Sequence, residues 1–258
     1  MPTIEHNQPD FIIIGAMKAA TSAIYEYLMQ HPAVAHRLPK ELHFFTLNYD
    51  KGWDWYLSQF ESAKGNNRDL LIGEASPSYL SSPKAPKLIH KLLPDVKIIV
   101  SLRNPADRAI SHYYHQFNRV GDETRPIEIA FSQQEIDNLD RPPRSKTSSY
   151  IQLGKYAHQI KNWLAVFPKE QILILDYHDL ETKPRRFVRE IFQFLNLAEY
   201  PLNNIQKIYG NQYPPVPSEI RIRLERHFAE SDRALKALID VADLSDDVQN
   251  NTVRSYKL

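Results

Sequence analysis

Apolar positions along the chain fall into short runs that are separated by longer amphipathic segments. Four mostly apolar runs are rich in β-branched residues, which is typical of buried parallel strands; they lie at 11–14, 70–72, 96–102 and 171–175. Between them, apolar residues recur with helical spacing, and this predicts helices over 22–30, 85–91, 106–118, 156–167 and 183–195. Strands that alternate with helices predict an α/β fold with a central parallel sheet flanked by helices.

The carboxyl ends of the predicted strands indicate where a ligand would bind. In open α/β folds, ligands occupy the crevice at these ends. Gly15, Gly73 and Arg103 each directly follow a predicted strand. We therefore expect the functional residues to cluster around these three positions.

Three stretches lie outside the alternation. Residues 1–9 form a polar arm, and the polar, partly proline-rich run at about 119–149 predicts a long, irregular and flexible loop. A charged segment with an apolar stripe predicts a helix over 219–241, followed by a polar tail at about 243–258. We expect a single domain over residues 1–258.

Composition narrows the classes of function. The chain has 258 residues, 42% of them hydrophobic, a net charge of +1 and no cysteine. A charge this close to neutral predicts neither a nucleic-acid nor a membrane partner. The polar start MPTIEHNQPD is not a signal peptide, and no apolar run approaches the ~20 residues that span a bilayer. Together with the lack of cysteine, this predicts a cytoplasmic protein.

The first chemical motif is the segment PDFIIIGAMKAATSAIYEYL at 9–28. It predicts a strand, a tight loop and a helix, and the free N–H groups at a helix N-terminus attract anions. The loop supplies an ammonium and two hydroxyls, so we expect it to hold a phosphate or sulfate with Gly15, Ala16, Met17, Lys18, Ala19, Ala20, Thr21 and Ser22. It matches neither G-x-x-x-x-G-K-[ST] nor G-x-G-x-x-G. The alternative is an ordinary junction whose Thr or Ser caps the helix.

The second motif is SLRNPADRAIS at 101–111. Arg103 follows a predicted strand, and Pro105 suits the first turn of the next helix. The guanidinium of Arg103 and the hydroxyl of Ser111 can bind a phosphate. Two such sites imply a ligand with phosphates at two ends, whereas a capped helix with a surface arginine is the alternative.

With both motifs in this order, the chain resembles the sulfotransferases that use 3′-phosphoadenosine-5′-phosphosulfate (PAPS). The resemblance covers about residues 10–240 and is greatest for heparan-sulfate N- and 3-O-sulfotransferase domains and their bacterial relatives. It implies a P-loop-like fold and a donor, PAPS, that leaves as 3′,5′-adenosine bisphosphate (PAP). It also implies that Lys18, Thr21 and Ser22 bind the 5′-phosphosulfate and that Arg103 and Ser111 bind the 3′-phosphate.

The segment KELHFF at 40–45 is similar to a family motif whose glutamate is the proposed base. The resemblance implies that Glu41 accepts the acceptor's proton with His43 beside it, and that Lys18 neutralises charge on the leaving group. Such proton transfer is within the capacity of a carboxylate or an imidazole. Without the resemblance, Glu41 is a loop carboxylate and His43 a half-buried histidine.

The segment GEASPSY at 73–79 resembles a family segment beside the acceptor. The resemblance implies that Glu74, Ser76 and Tyr79 contact the acceptor. The predicted loop at 119–149 is expected to lie near the acceptor because long irregular loops in compact domains are often functional; the alternative is a solvated excursion. The family often has lysine where this chain has Ala75. We therefore expect a smaller or less anionic acceptor.

The resemblance also bears on the nucleotide. Relatives carry a basic loop near 210–214, where this chain has few cations; Gly210, Asn211 and Tyr213 are expected to touch the nucleotide through backbone and ring. Ala20 replaces a usual glycine of the first loop. We expect a negative φ at Ala20, because a methyl group disfavours the left-handed region.

Nothing in the sequence predicts a metal site, because the 10 histidines are scattered and no H-E-x-x-H motif is present. We therefore expect a metal-independent sulfotransferase that acts on a hydroxyl or amine of a small-molecule, natural-product acceptor. The alternatives are a P-loop-type small-molecule kinase, for which no Walker lysine is evident, and a catalytically inactive nucleotide-binding protein.

Overall fold

The computed structural model describes residues 8–36, 38–61, 69–140, 146–203, 205 and 213–244. The chain forms two compact units. The first, here called the sheet unit, comprises Met1–Leu102 and Asn162–Tyr209. The second, the helical unit, comprises Arg103–Lys161 and Gly210–Leu258.

The sheet unit is built on parallel strands, as the alternating pattern predicted. Within the described residues the sheet has four strands in the order β2-β1-β3-β4, with β1 at Phe11–Gly15, β2 at Gly73–Ala75, β3 at Lys97–Leu102 and β4 at Ile172–Asp176. β1 is buried along its whole length and pairs with β2 on one side and β3 on the other. A strand buried on both faces needs an apolar run, which explains why β1, β3 and β4 were predicted to within about one residue.

The strand predicted at 70–72 is misplaced. β2 begins at Gly73, and Leu71 makes only an isolated bridge with Val34. The error has a physical cause: Glu74 is a strand residue that pairs with Ile12 and is fully buried, and a buried carboxylate breaks the hydrophobic pattern from which strands are predicted. Gly73 therefore opens a strand instead of following one.

Helices α1–α11 account for most of the remaining described chain. In chain order they are Thr21–Met29, Trp53–Ser58, Ala85–Leu92, Pro105–His115, Ile127–Ala130, Gln133–Asp137, Lys146–Gln152, Tyr156–Leu164, Tyr177–Thr182, Pro184–Phe194 and Ser218–Leu244. Each long helix that the periodicity predicted is present. α4 shows why one of them starts where it does: Pro105 occupies its first turn, and the Asn104 side chain accepts hydrogen bonds from the N–H groups of Ala106 and Asp107 at 3.0 and 3.1 Å.

The prediction of an irregular loop at 119–149 is wrong. This stretch contains α5, α6 and most of α7. Apolar side chains from it, including Phe131 and Ile136, are buried in the core of the helical unit with residues of α4 and α11. Its polar residues are also ordered, since Arg125 pairs with Glu123 at 2.8 Å and with Glu135 at 3.0 Å. Few apolar residues are enough to pack this stretch into the core, because the charged residues beside them form ion pairs with one another.

In the part of the chain that the structure describes, no helix has both the length and the apolar character needed to cross a membrane. The predicted arm at 1–9 and the tail at 243–258 fall largely outside the described residues.

Candidate functional site

The loop between β1 and α1 has an unusual backbone. Lys18 and Ala20 lie in the left-handed region, with φ of 69° and 65°. At Gly15, where φ is 150°, a Cβ atom would come within 2.9 Å of the Leu80 Cβ. The expectation of a negative φ at Ala20 is therefore wrong: Ala20 is the residue that precedes the first turn of α1, and the chain turns into the helix there through a left-handed conformation.

The N-terminus of α1 fits an anion. Among the described residues, no side chain caps this helix, so its first N–H groups are available to a ligand. Lys40 Nζ donates a hydrogen bond to Ser22 Oγ at 2.6 Å. Lys40 thus brings a second ammonium to this loop. Sequence reasoning missed this role, although Lys40 directly precedes Glu41 in the KELHFF segment.

Glu41 and His43 form a hydrogen-bonded pair. Glu41 Oε2 lies 2.9 Å from His43 Nε2, and the side chains are 52% and 23% exposed. Both residues have left-handed backbones, with φ of 58° and 48°. The second ring nitrogen, Nδ1, lies 2.8 Å from Ser78 Oγ. The structure therefore brings together the two residues predicted for proton transfer and adds Ser78 to them.

Glu74 lies at the centre of a buried hydrogen-bond network. Its carboxylate accepts hydrogen bonds from the hydroxyls of Tyr56 and Ser76, both at 2.7 Å, and of Tyr79 at 3.0 Å. Burial raises the pKa of Glu74 to about 7, although these hydrogen bonds oppose the shift. Ser76 Oγ in turn accepts from the backbone N–H of His43 at 3.1 Å. The network thus reaches the candidate proton-transfer loop.

The burial of Glu74, Ser76 and Tyr79 bears on their predicted contact with the acceptor, which stays a prediction. All three are fully buried, at 0% exposed, so their side chains present no surface to a ligand in this structure. Their polar atoms bind one another and the loop that carries His43. They support the loop of His43 through these hydrogen bonds, and Tyr56 joins them through its bond to Glu74, which no sequence signal beyond its aromatic neighbours indicated.

Aromatic packing fixes the other side of the same loop. Phe44 and Phe45, which follow His43 directly, are buried. The Phe44 ring stacks on Tyr56 with centroids 4.6 Å apart, and Phe45 meets Tyr79 edge to face at 5.5 Å. The left-handed backbone of His43 is therefore held on one side by the buried aromatic rings and on the other by its hydrogen bond to Ser76.

In the helical unit, the second predicted phosphate motif lies at the start of α4. Arg103 is half-buried, and Ser111 is buried on the helix at 4% exposed. The Asn104 side chain already accepts from the first N–H groups of α4. Anion binding by this motif therefore depends on its side chains more than on the helix terminus.

Arg108, from the same motif, is a buried cation. It is 0% exposed, and its Nη2 donates to the carbonyl of Tyr150. Its Nε and Nη1 have no hydrogen-bond partner among the described residues. Burial, together with the nearby charge of Arg103, lowers its pKa. A buried positive charge of this kind favours an anion nearby.

The remaining predicted nucleotide contacts are only partly visible. Gly210 and Asn211 lie outside the described residues. Tyr213 stacks on Tyr114 with centroids 4.7 Å apart and an interplanar angle of 8°; its contact with the nucleotide stays a prediction. In the described part of the chain, no group of three or more His, Asp or Glu side chains could hold a metal ion.

The chain is similar to known proteins over most of its length. A family model described as "Sulfotransferase domain" matches residues 8–213. The chain is 32% identical over 264 residues to bifunctional heparan sulfate N-deacetylase/N-sulfotransferase 4 of Mus musculus, covering 90% of this chain but only 30% of that protein. The corresponding enzyme 3 of Homo sapiens is 31% identical with the same coverage.

Among solved structures, a sulfotransferase from Alicyclobacillus acidocaldarius matches with a TM-score of 0.76 and 29% identity, covering 90% of this chain and 96% of that one. The sulfotransferase domain of the curacin biosynthetic pathway matches with a TM-score of 0.52 and 14% identity, covering 86% and 98%, which bears on the fold alone. These neighbours confirm the predicted P-loop-like sulfotransferase fold.

Proposed function

The chain belongs to the sulfotransferase domain family, and from this we propose that it transfers the sulfuryl group of PAPS to a hydroxyl or amine of a small-molecule acceptor. The observation that carries the proposal is the hydrogen bond of 2.6 Å between Lys40 Nζ and Ser22 Oγ. This bond links the segment of Glu41 and His43 to the uncapped N-terminus of α1. A base and an anion site are thus held side by side within the sheet unit.

The residues of the loop fit the phosphosulfate end of the donor. The open N–H groups of α1, the hydroxyls of Thr21 and Ser22 and the ammonium of Lys18 match an anion in charge and in hydrogen-bonding capacity. When bound, the donor supplies a sulfuryl group attached to a phosphate leaving group. Lys18 and Lys40 stabilise the negative charge that grows on that phosphate as the bond to sulfur breaks.

Glu41 serves as the base. A half-exposed carboxylate can reach an acceptor, and its Oε2 is held by His43. As the acceptor oxygen or nitrogen forms its bond to sulfur, its proton passes to Glu41. His43 orients the carboxylate and stabilises it by a hydrogen bond.

We assign the 3′-phosphate of the donor to Arg103 and Ser111, as the resemblance implies. Support comes from the helical unit, where Arg103 directly precedes the N-cap of α4 and both Ser111 and the buried charge of Arg108 lie on that helix. Gly210, Asn211 and Tyr213 complete the expected set of nucleotide contacts.

We further propose that the acceptor is smaller or less anionic than heparan sulfate, which the names of the relatives mention, and that it is a natural product. The argument is Ala75, which stands where the family often has lysine. Ala75 is fully buried, pairs with Ile13 of β1 and contributes no cation to an acceptor site.

Nucleotide binding provides the first test. PAP is expected to bind on the order of 10- to 100-fold more tightly than AMP, because the 3′-phosphate gains charged hydrogen bonds. Calorimetry on the wild type, on Arg103→Gln and on the control Arg119→Gln, an exposed arginine, measures this. Arg103→Gln should lose the preference and the control should keep it. Equal affinity of the wild type for PAP and AMP would contradict the assignment.

Turnover tests the reaction itself. Incubation with 35S-labelled PAPS and a panel of phenols, alcohols and amines, followed by mass spectrometry, is expected to reveal a sulfated product. Binding of PAP without any product would favour an inactive nucleotide-binding protein, and phosphorylated product from ATP would favour a kinase.

A further inference from the structure

Ser78 makes a contact that neither the motifs nor the family comparison assigned. It follows β2, 35 residues after His43 in the chain, and its Oγ lies 2.8 Å from His43 Nδ1. Ser78 Oγ also lies 3.0 Å from Thr46 Oγ1, and Thr46 Oγ1 donates to the carbonyl of His43 at 3.2 Å. His43 therefore lies between a carboxylate on one ring nitrogen and a pair of hydroxyls on the other.

The partners determine where the imidazole proton lies. An ionised carboxylate only accepts hydrogen bonds, so His43 Nε2 must carry a hydrogen to bond Glu41. In the neutral ring Nδ1 is then the acceptor, and the Ser78 hydroxyl donates to it. The hydrogen bonds thus run in one direction: Ser78 donates to His43, and His43 donates to Glu41, the proposed base.

The same hydroxyl suits the protonated ring. If His43 gains a proton, Nδ1–H donates to Ser78 Oγ, and the Ser78 hydroxyl can turn to donate to Thr46 Oγ1. Thr46 keeps its bond to the His43 carbonyl. Both charge states of the His43 ring are therefore fully hydrogen-bonded, so neither leaves a ring nitrogen as an unpaired polar atom.

We propose that Ser78 is a positioning residue for sulfuryl transfer, which acts by fixing the tautomer and the orientation of His43 and thereby the Glu41 carboxylate. Ser76 performs the corresponding task on the backbone, since its Oγ accepts from the His43 N–H at 3.1 Å. Ring and backbone of one histidine are thus held by two serines from the segment after β2. The kinetic part of this inference rests on the proposed function, but the tautomer does not.

NMR spectroscopy of protein labelled with 15N-histidine tests the tautomer directly. The His43 signals are identified as those missing from His43→Gln. The wild type is expected to show an Nε2–H ring with Nδ1 as a hydrogen-bond acceptor, and Ser78→Ala is expected to lose that hydrogen bond and populate both tautomers. Ser58→Ala, which removes an exposed hydroxyl on α2, should change nothing. An Nδ1–H tautomer in the wild type, or a His43 spectrum unaffected by Ser78→Ala, would overturn the proposal.

Kinetics gives the second readout, with PAPS and whichever acceptor of the panel is turned over. Ser78→Ala should lower kcat about 10-fold, as expected for one hydrogen bond to a charged pair, and leave the KM for PAPS unchanged. Ser78→Thr, which keeps the hydroxyl, should restore most of kcat. Unchanged kcat in Ser78→Ala would contradict the positioning role. If the wild type lacks turnover while the NMR result holds, the proposed function fails and the assignment of Ser78 to His43 stands.

Discussion

Glu41 combines two properties that a base needs: its carboxylate is 52% exposed, and one of its oxygens is held 2.9 Å from His43. Replacing it by Gln keeps an oxygen that can accept from His43 but removes the ability to take a proton. We expect Glu41→Gln to lower kcat by ~10²–10⁴ and to leave the affinity for PAP, measured by calorimetry, nearly unchanged.

The matched control for this change is Glu61→Gln, which alters an exposed glutamate. It should retain full turnover. Near-normal turnover in Glu41→Gln would show that another group is the base, and His43 would be the first to examine.

Lys18 belongs to the loop before α1, where the leaving phosphate is expected. Its ammonium should stabilise the transition state more than bound substrate, because charge grows on the leaving group as the reaction proceeds. Lys18→Ala is therefore expected to lower kcat and not only to raise KM, whereas excess EDTA should leave the wild type active. Lys87→Ala, an exposed lysine of α3, is the control.

The opposite pattern would contradict this mechanism. If EDTA stops the reaction and Lys18→Ala does not, a metal-dependent nucleotide enzyme becomes the better interpretation.

At the scale of single residues, the sequence predicted the site residues that share a short motif. It missed the residues that contact them from a distant part of the chain. Glu41 and His43 are two residues apart, so their pairing was open to prediction. Ser78 joins them across 35 residues, and this contact depends on the pairing of Lys40 with Ala75 of β2. No local pattern contains that information.

At the scale of elements, β2 carries a fully buried carboxylate, and this has a consequence for stability. The pKa of Glu74 is about 7 in the folded protein, above its ordinary value of 4.5. The folded state therefore binds more protons between these two values, and its free energy of unfolding should fall as pH rises from about 4.5 to about 7. The slope from this group is at most about 1.4 kcal/mol per pH unit.

Urea unfolding of the wild type and of Glu74→Gln between pH 5 and pH 8 measures this effect. We expect similar stability at pH 5, where both side chains are neutral in the folded state, and a more stable variant at pH 8. Asp232 and His227, whose pKa values are also shifted by burial, titrate in both proteins and cancel in the difference. Parallel pH profiles would refute the assignment of a raised pKa to Glu74.

The elements that the sequence predicted well are those whose buried residues are mostly apolar. β1, β3 and β4 are of this kind. β2 was displaced because Glu74 is buried, and α5 and α6 were missed because their few apolar residues are surrounded by charges such as Arg125 and Glu135, which pair only after folding. Local patterns report burial of apolar groups and not the pairing of polar ones.

At the scale of the whole molecule, the order of motifs along the chain was enough to predict the family, and the match over residues 8–213 confirms it. The division into a sheet unit and a helical unit was not predicted. The boundaries at Leu102 and Lys161 fall directly after β3 and within α8, where neither a linker nor a change of composition marks them. Compact units are defined by contacts, which a single sequence does not display.

The left-handed backbones described above make stability and function compete in this protein. Lys18, Ala20, Glu41 and His43 all have φ between 48° and 69°, a conformation that costs a residue with a side chain roughly 1 kcal/mol and glycine almost nothing. Random mutation screened for heat resistance alone would therefore tend to convert these positions to glycine, removing the proposed base and the lysine and loosening the loop. Lys18, Glu41 and His43 carry side chains that the proposed chemistry cannot give up, so a thermostable variant should be sought elsewhere in the chain.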